Sequence, residues 1–135
     1  MIVGFGRIGK AIAQRAKAFE MQVHVANRSA VATSPLVDRA FGLDELPAFW
    51  GTVDYVVSLL PLSEETRGIV DAAAFATMKR TAVLVNVGRG PTVDERALYD
   101  ALVTGQIAGA AIDTWYVYPT AGDLWPHPAT LPFRS

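Results

Sequence analysis

The glycine-rich stretch near the amino terminus constrains the fold of this chain more than any other feature. Residues 4–9 read Gly-Phe-Gly-Arg-Ile-Gly and match the spacing G-x-G-x-x-G. Gly4 allows a tight turn out of a strand, Gly6 leaves the main chain open to a phosphate, and Gly9 lets the next helix pack closely on the sheet. Alone, this spacing is a weak signal, because glycine clusters also make ordinary turns.

Strand-like and helix-like segments alternate along the next hundred or so residues. Apolar, β-rich runs lie at 21–26, 53–60, 81–87 and 107–113, and helical patterns lie at 7–19, 70–78 and 94–104. This alternation predicts an α/β fold, a Rossmann-type doubly wound parallel sheet with flanking helices. We expect this dinucleotide-binding domain to span residues 1–113.

Residues 114–135 differ in character from the rest. Their aromatic residues are interleaved with prolines: Trp115, Tyr116, Tyr118, Trp125 and Phe133 with Pro119, Pro126, Pro128 and Pro132. Such a segment cannot form one helix or a central strand. Because this tail is apolar and the first strand is very short, we expect a chain truncated at both ends. The tail would lead to a missing substrate or catalytic domain.

Composition excludes several classes of function. The net charge is −1, from 12 basic and 13 acidic residues, which argues against binding to nucleic acid or to an anionic membrane. The absence of cysteine excludes disulfides, a thiol nucleophile and thiolate metal ligands, and no metal site is predicted. No apolar run approaches the roughly 18 residues of a membrane span. We expect a cytoplasmic protein.

In open α/β sheets, ligands bind beyond the carboxyl ends of the strands, and the turn after the second strand reads Asn27-Arg28-Ser29. An acid at this place holds the ribose hydroxyls of NAD, whereas Arg28 attracts a 2′-phosphate and Asn27 and Ser29 can donate hydrogen bonds. The turn therefore predicts NADP(H) as the preferred cofactor, with NAD(H) as the other candidate. If no dinucleotide binds, Arg28 is a surface arginine in a turn.

Three later turns carry further candidates. Leu60 and Pro61, followed by Thr66, either wall the nicotinamide side of a cofactor or only end a strand. Arg89 stands between two glycines directly after a buried run, where it can grip a substrate carboxylate or remain a solvated charge. Asp113 either accepts a hydrogen bond from a nicotinamide carboxamide or caps a turn.

Four segments, in this order, resemble the D-isomer-specific 2-hydroxyacid dehydrogenase family. They are Gly-Phe-Gly-Arg-Ile-Gly at 4–9, Val-Ser-Leu-Leu-Pro-Leu-Ser-Glu-Glu-Thr-Arg-Gly-Ile-Val at 57–70, Leu-Val-Asn-Val-Gly-Arg-Gly at 84–90, and Gly-Gln-Ile-Ala-Gly-Ala-Ala-Ile-Asp at 105–113. The resemblance implies hydride transfer between a nicotinamide cofactor and a small 2-oxo or 2-hydroxy acid, such as glyoxylate or hydroxypyruvate. It also implies a homodimer formed through this domain.

The resemblance assigns roles to individual residues. It makes Arg89 the catalytic arginine that binds and polarises the 2-oxo acid, and it makes Arg7, Ile8, Arg28, Thr66, Val87 and Asp113 cofactor contacts. With the glycines and the other turns, the predicted cofactor-binding set is Gly4, Gly6, Arg7, Ile8, Gly9, Asn27, Arg28, Ser29, Leu60, Pro61, Thr66, Val87, Gly88 and Asp113.

Two departures from the family pattern limit what the chain can do alone. The family's glutamate, which tunes its catalytic histidine, is replaced here by Tyr118. The family's proton-donating histidine follows a Thr-Pro pair, which neither His24 nor His127 does, and we expect His24 to be structural. Because we expect the proton donor and the substrate cleft to lie in the missing parts, the isolated chain is expected to be weak or inactive. The alternative is a non-catalytic module that binds nucleotide or dimerises.

Overall fold

Six short parallel strands form the sheet that the alternation predicts. The computed structural model describes residues 1–117 and 129–133. The strands are Ile2–Val3 (β1), His24–Ala26 (β2), Arg39–Phe41 (β3), Tyr55–Ser58 (β4), Val83–Asn86 (β5) and Gly109–Ile112 (β6). Their order is β3-β2-β1-β4-β5-β6, and every neighbouring pair is parallel. This is the order of a doubly wound dinucleotide-binding sheet, so the predicted fold class is confirmed.

Three α-helices cover the sheet: Arg7–Ala18 (α1), Ala72–Thr77 (α2) and Glu95–Val103 (α3). On one face, Ala13 of α1 joins a cluster of buried residues that includes Val25 of β2. On the other face, Phe75 of α2 and Leu98 of α3 join the larger core around Leu84 of β5. None of the helices in the described residues has both the length and the apolar character needed to cross a bilayer.

Two parts of the chain are less regular than long strands and α-helices would be. The pairing of β4 with β5 covers four residues on each strand and ends at Ser58 and Asn86, so Leu59 and Leu60 lie beyond the strand. Between β3 and β4, residues Leu43–Ala48 form a 3₁₀ turn. Pro47 lies within that turn and has no N–H to continue an α-helical ladder.

The described parts of residues 114–135 pack against the domain. The Phe133 ring meets the ring of Trp115 edge-on at 5.7 Å and that of Tyr99 on α3 at 5.6 Å. The Thr130 hydroxyl donates to Oε2 of Glu95 at 2.6 Å. Among the residues singled out above, Tyr118, Trp125, His127 and the prolines at 119, 126 and 128 lie outside the described residues. The division at residue 113 stays a prediction.

The tightest approach of α1 to the glycine turn is at Gly9, which makes this packing testable. A Cβ on Gly9 would lie 2.6 Å from the carbonyl oxygen of Gly4 and 3.4 Å from Cγ2 of Ile2. We expect Gly9→Ala to lower the free energy of unfolding, measured in urea, by about 1–3 kcal/mol because α1 must shift. Gly6→Ala is the control, since a Cβ at Gly6 meets no atom within 4 Å. Equal unfolding midpoints for the two variants would contradict the packing role of Gly9.

Candidate functional site

The turns that follow the strands form one row along the carboxyl edge of the sheet. Backbone hydrogen bonds tie each turn to a neighbouring strand: Gly4 N to Ala26 O (2.8 Å), Leu59 N to Val3 O (2.8 Å), Val87 N to Ser58 O (3.1 Å) and Asp113 N to Asn86 O (3.0 Å). These bonds extend the parallel ladders by one residue past each strand. The turns singled out in the sequence are therefore neighbours in space.

The three glycines of the first turn have different physical roles. Gly4 has φ of +99°, a conformation that side chains disfavour, and its Cβ position lies 3.2 Å from the carbonyl carbon of Leu59. Gly9 is needed for the close approach of α1 described above. Gly6 meets no neighbouring atom at its Cβ position and is exposed, so the main chain there is open to a ligand.

The amino terminus of α1 differs from those of the other two helices. Asp71 caps α2 by accepting from Ala74 N at 2.8 Å, and Asp94 caps α3 by accepting from Ala97 N at 2.7 Å. No side chain in the described part of the chain caps α1, and its first turn holds no acidic residue. The unbonded N–H groups and the positive dipole end of α1 therefore face the row of turns, where they favour an anion.

A cleft of about 730 Å³ opens beside this helix end. Of the predicted cofactor contacts, Gly6, Arg7, Ile8, Gly9 and Val87 line it, and Leu59 is an additional lining residue. Leu60, the predicted neighbour, is 5% exposed and belongs to the core instead. Because side chains alternate along an extended segment, Leu59 and Leu60 face opposite sides, and this alternation could have identified Leu59.

Asn27 links the glycine turn to the turn after β2. Its Oδ1 accepts from the backbone N–H of Phe5 at 3.1 Å, and its Nδ2 donates to the carbonyl of Ser29 at 2.9 Å. Arg28 and Ser29 are exposed, and Arg28 forms no ion pair with a carboxylate among the described residues. Asn27 thus holds two predicted binding segments together, while Arg28 is available to an anion.

Thr66 shapes the turn after β4. Its hydroxyl donates to the carbonyl of Pro61 at 2.6 Å and accepts from the N–H of Ser63 at 2.8 Å. The residue is 5% exposed, whereas Pro61 is exposed beside the row of turns. A direct contact of Thr66 with a cofactor stays a prediction, and its observed role is to close the turn.

Arg89 lies exposed at the end of β5, where two glycines permit the turn. A Cβ on Gly88 would lie 2.6 Å from the carbonyl oxygen of Leu60, and a Cβ on Gly90 would collide with the carbonyl of Trp115. The Arg89 Nη1 donates to the carbonyl of Gly88 at 2.8 Å, and within the described ranges Arg89 forms no ion pair with a carboxylate. Its remaining guanidinium donors are therefore available to a carboxylate ligand.

Three fully buried polar residues beneath Arg89 are absent from the predicted set: Ser58, Asn86 and Thr92. Ser58 ends β4 and Asn86 ends β5, in both cases at an inward-facing position of the strand. A polar residue at an inward position of an apolar run is a sequence signal that could have marked both. Thr92 follows the turn and carries no comparable pattern.

His24 lies away from this row. It begins β2, so it belongs to the amino edge of the sheet, opposite the glycine turn. Burial lowers the pKa of His24, and the nearby N-terminal amine and Arg39 lower that pKa further, against the opposing effect of Asp38. A structural role for His24 stays a prediction. Among the described residues, no group of three or more His, Asp or Glu side chains is placed to hold a metal ion.

Comparison with known proteins identifies relatives of this chain. The family profile described as D-isomer specific 2-hydroxyacid dehydrogenase, NAD binding domain, matches residues 1–132. A glyoxylate reductase of Thermococcus onnurineus is 42% identical over 120 residues, which is 87% of this chain and 35% of that protein. The chain therefore spans about a third of the length of this relative, and the resemblance inferred from the sequence is confirmed.

Solved structures of relatives share the fold. A D-isomer specific 2-hydroxyacid dehydrogenase from Xanthobacter autotrophicus Py2, in complex with NADPH and MES, matches with a TM-score of 0.80 and 38% identity, over 91% of this chain and 39% of that chain. An NAD-dependent formate dehydrogenase from Staphylococcus aureus, in complex with NAD, matches with a TM-score of 0.77 and 31% identity, over 85% of this chain and 34% of that chain. Structural relatives thus bind either dinucleotide.

The position of Asn27 between two turns generates a prediction about affinity. Asn27→Ala removes the acceptor of the Phe5 N–H, and a hydrogen bond of this kind contributes about 0.5–1.5 kcal/mol. We expect Asn27→Ala to weaken NADPH and NADH binding by a similar factor, roughly two- to tenfold, because the glycine turn serves both. Fluorescence titration of each dinucleotide measures the two constants. Unchanged affinity for both would show that the link does not support the site.

Proposed function

The chain belongs to the D-isomer-specific 2-hydroxyacid dehydrogenase family, and we propose that it is the cofactor-binding portion of an NADPH-dependent reductase of small 2-oxo acids. The observation that carries the proposal is a set of hydrogen-bond donors without acceptors along the carboxyl edge of the sheet. The uncapped start of α1, Arg28 and Arg89 all lie on that edge. Because the chain spans only part of its relatives, the activity of the whole protein belongs to the proposal as well.

The residues of the cleft fit a dinucleotide. The open main chain at Gly6 and the N–H groups that begin α1 would hold the pyrophosphate, as anions bind at helix starts generally. Ile8, Leu59 and Val87 give the cleft apolar walls suited to a ring system. When bound, NADPH supplies the hydride for the reduction of a carbonyl group. The protein's contribution is to bind and orient it.

The preference for NADPH rests on the turn that holds Arg28. This turn contains no acidic residue that would repel a 2′-phosphate, and Arg28 and Ser29 are both exposed. A guanidinium can form charge-assisted hydrogen bonds to phosphate oxygens. The NADPH complex of the Xanthobacter relative supports this choice. The NAD complex of the Staphylococcus formate dehydrogenase keeps NAD(H) as a candidate cofactor.

Arg89 is the proposed catalytic residue. A planar guanidinium can bind the carboxylate of a 2-oxo acid in bidentate fashion and stabilise negative charge on its carbonyl oxygen. Glyoxylate is the smallest member of the proposed substrate class, and the Thermococcus relative is named as a glyoxylate reductase. The proton that completes the reduction needs another residue, and His24 is at the opposite edge of the sheet.

The position of His24 favours one alternative, a module that binds nucleotide or dimerises without chemistry. Within residues 1–117 and 129–133 no histidine lies on the row of turns, so this part of the chain offers a substrate there no histidine as proton donor. The homodimer and the cytoplasmic location stay predictions. Turnover distinguishes the two functions.

The cofactor preference predicts a charge-reversal effect. We expect Arg28→Asp to lower the ratio of NADPH affinity to NADH affinity by about tenfold or more, because a hydrogen bond to a charged group is replaced by repulsion. Arg80→Asp is the matched control, since Arg80 is exposed in the turn before β5, at the amino edge. An unchanged ratio in Arg28→Asp would show that the 2′-phosphate assignment is wrong.

The substrate role of Arg89 predicts a loss of activity. We expect slow, glyoxylate-dependent loss of NADPH absorbance in the wild-type chain and none in Arg89→Ala, which lacks the carboxylate-binding group. Arg96→Ala, which removes an exposed arginine paired with Asp100 on α3, should behave as the wild type. Turnover that survives in Arg89→Ala would contradict the assignment. NADPH binding without any turnover in the wild type would support the non-catalytic alternative.

A further inference from the structure

The turn that carries Arg89 rests on a buried polar network. Ser58, Asn86 and Thr92 are each 0% exposed, and their neighbours in the core are mostly apolar. Burying polar groups is unfavourable unless they are hydrogen-bonded. The hydrogen bonds that these side chains form therefore indicate what the network holds in place.

The network converges on a single backbone carbonyl. The Thr92 hydroxyl donates to the carbonyl of Arg89 at 2.7 Å, and Asn86 Nδ2 donates to the same carbonyl at 3.1 Å. The other side-chain atom of Asn86, Oδ1, accepts from the N–H of Gly88 at 3.1 Å. The Ser58 hydroxyl lies 3.5 Å from that of Thr92. Asn86 thus forms hydrogen bonds with the backbone both at Gly88 and at Arg89.

Close packing restrains the same turn from two sides. Gly88 lies against the backbone of Leu60, and Gly90 lies against the carbonyl of Trp115, each so close that a Cβ would clash. With its neighbours held in this way and its carbonyl bonded, the backbone of Arg89 has little freedom. The side chain of Arg89, by contrast, is exposed.

We propose that Asn86 and Thr92, supported by Ser58, are positioning residues that fix the Arg89 carbonyl and so set the direction in which the guanidinium leaves the sheet edge. Bidentate binding of a carboxylate requires the guanidinium to keep one orientation. Small displacements of a binding group sharply reduce its contribution to binding and reaction. The consequence for a 2-oxo acid rests on the proposed function, whereas the restraint on the turn does not.

A purely structural role makes different predictions. If the network only stabilised the fold, its loss would speed amide exchange throughout the chain and would weaken every ligand alike. A positioning role confines both effects to the turn and to the ligand of Arg89. Local exchange and ligand selectivity therefore separate the two roles.

The first measurement is amide hydrogen exchange of the full chain, without ligand. The variants are Asn86→Ala and Thr92→Val, with Thr92→Ser to restore the hydroxyl. We expect exchange at residues 88 and 92, corrected for intrinsic rates, to be about tenfold faster relative to Leu84 in the first two variants. Thr77→Val is the matched control, since the Thr77 hydroxyl donates to the carbonyl of Ala74 at 3.0 Å in α2.

The second measurement is titration of oxamate, an unreactive analogue of a 2-oxo acid, into the chain saturated with NADPH. We expect Asn86→Ala and Thr92→Val to raise the oxamate dissociation constant about fivefold or more. The NADPH dissociation constant should stay within about twofold, and Thr92→Ser and Thr77→Val should match the wild type within about twofold. If Asn86→Ala fails to fold, Thr92→Val, which keeps the side-chain shape, carries the test.

Two results would overturn the proposal: unchanged exchange at residues 88 and 92 in both variants, or parallel losses of oxamate affinity, NADPH affinity and global stability. Failure of the proposed function gives a different pattern. If the wild type binds NADPH but not oxamate, the substrate role of Arg89 is wrong. The exchange data then still decide whether the network holds the turn.

Discussion

The close approach of neighbouring turns at the carboxyl edge of the sheet constrains the rest of the site. Gly4 lies against Leu59, Gly9 against Gly4, and Gly88 against Leu60, in each case at a distance where a Cβ would crowd or clash with the neighbouring backbone. This packing brings α1 down onto the first turn and brings the turn after β5 against the turn after β4. A ligand at this edge meets backbone groups directly because so few side chains intervene.

The same edge leaves hydrogen-bond donors without acceptors. Among the described residues, Lys17, Lys79 and Arg96 form ion pairs with carboxylates, and helices α2 and α3 start at aspartate caps. At the carboxyl edge, α1 starts uncapped, and Arg28 and Arg89 form no ion pair within the described ranges. An anionic cofactor and an anionic substrate are the ligands that such an arrangement favours.

Sequence patterns predicted the sheet and the turns that lie along its carboxyl edge, because glycine spacing and apolar periodicity reflect backbone geometry and the side of the sheet that each side chain faces. They did not show which donors and acceptors are already engaged. Asn27 and Thr66 were predicted as cofactor contacts, yet their side chains hold turns together. Ser58 and Thr92 were not singled out, and the hydroxyl that Ser58 approaches at 3.5 Å belongs to Thr92, 34 positions further along the chain. Such pairings depend on the register of the folded sheet, which no local pattern encodes.

The most direct test of the central claim is an NMR titration of the ¹⁵N-labelled chain with NADP⁺, followed through the backbone amides. The account predicts shifts at Gly6, Arg7 and Ile8 and at Arg28 and Ser29, with little change at Asp54 on the amino edge. NAD⁺ should shift the first group but affect Arg28 and Ser29 less. Shifts confined to the amino edge, or none at Gly6 and Arg28 at saturating NADP⁺, would contradict the account.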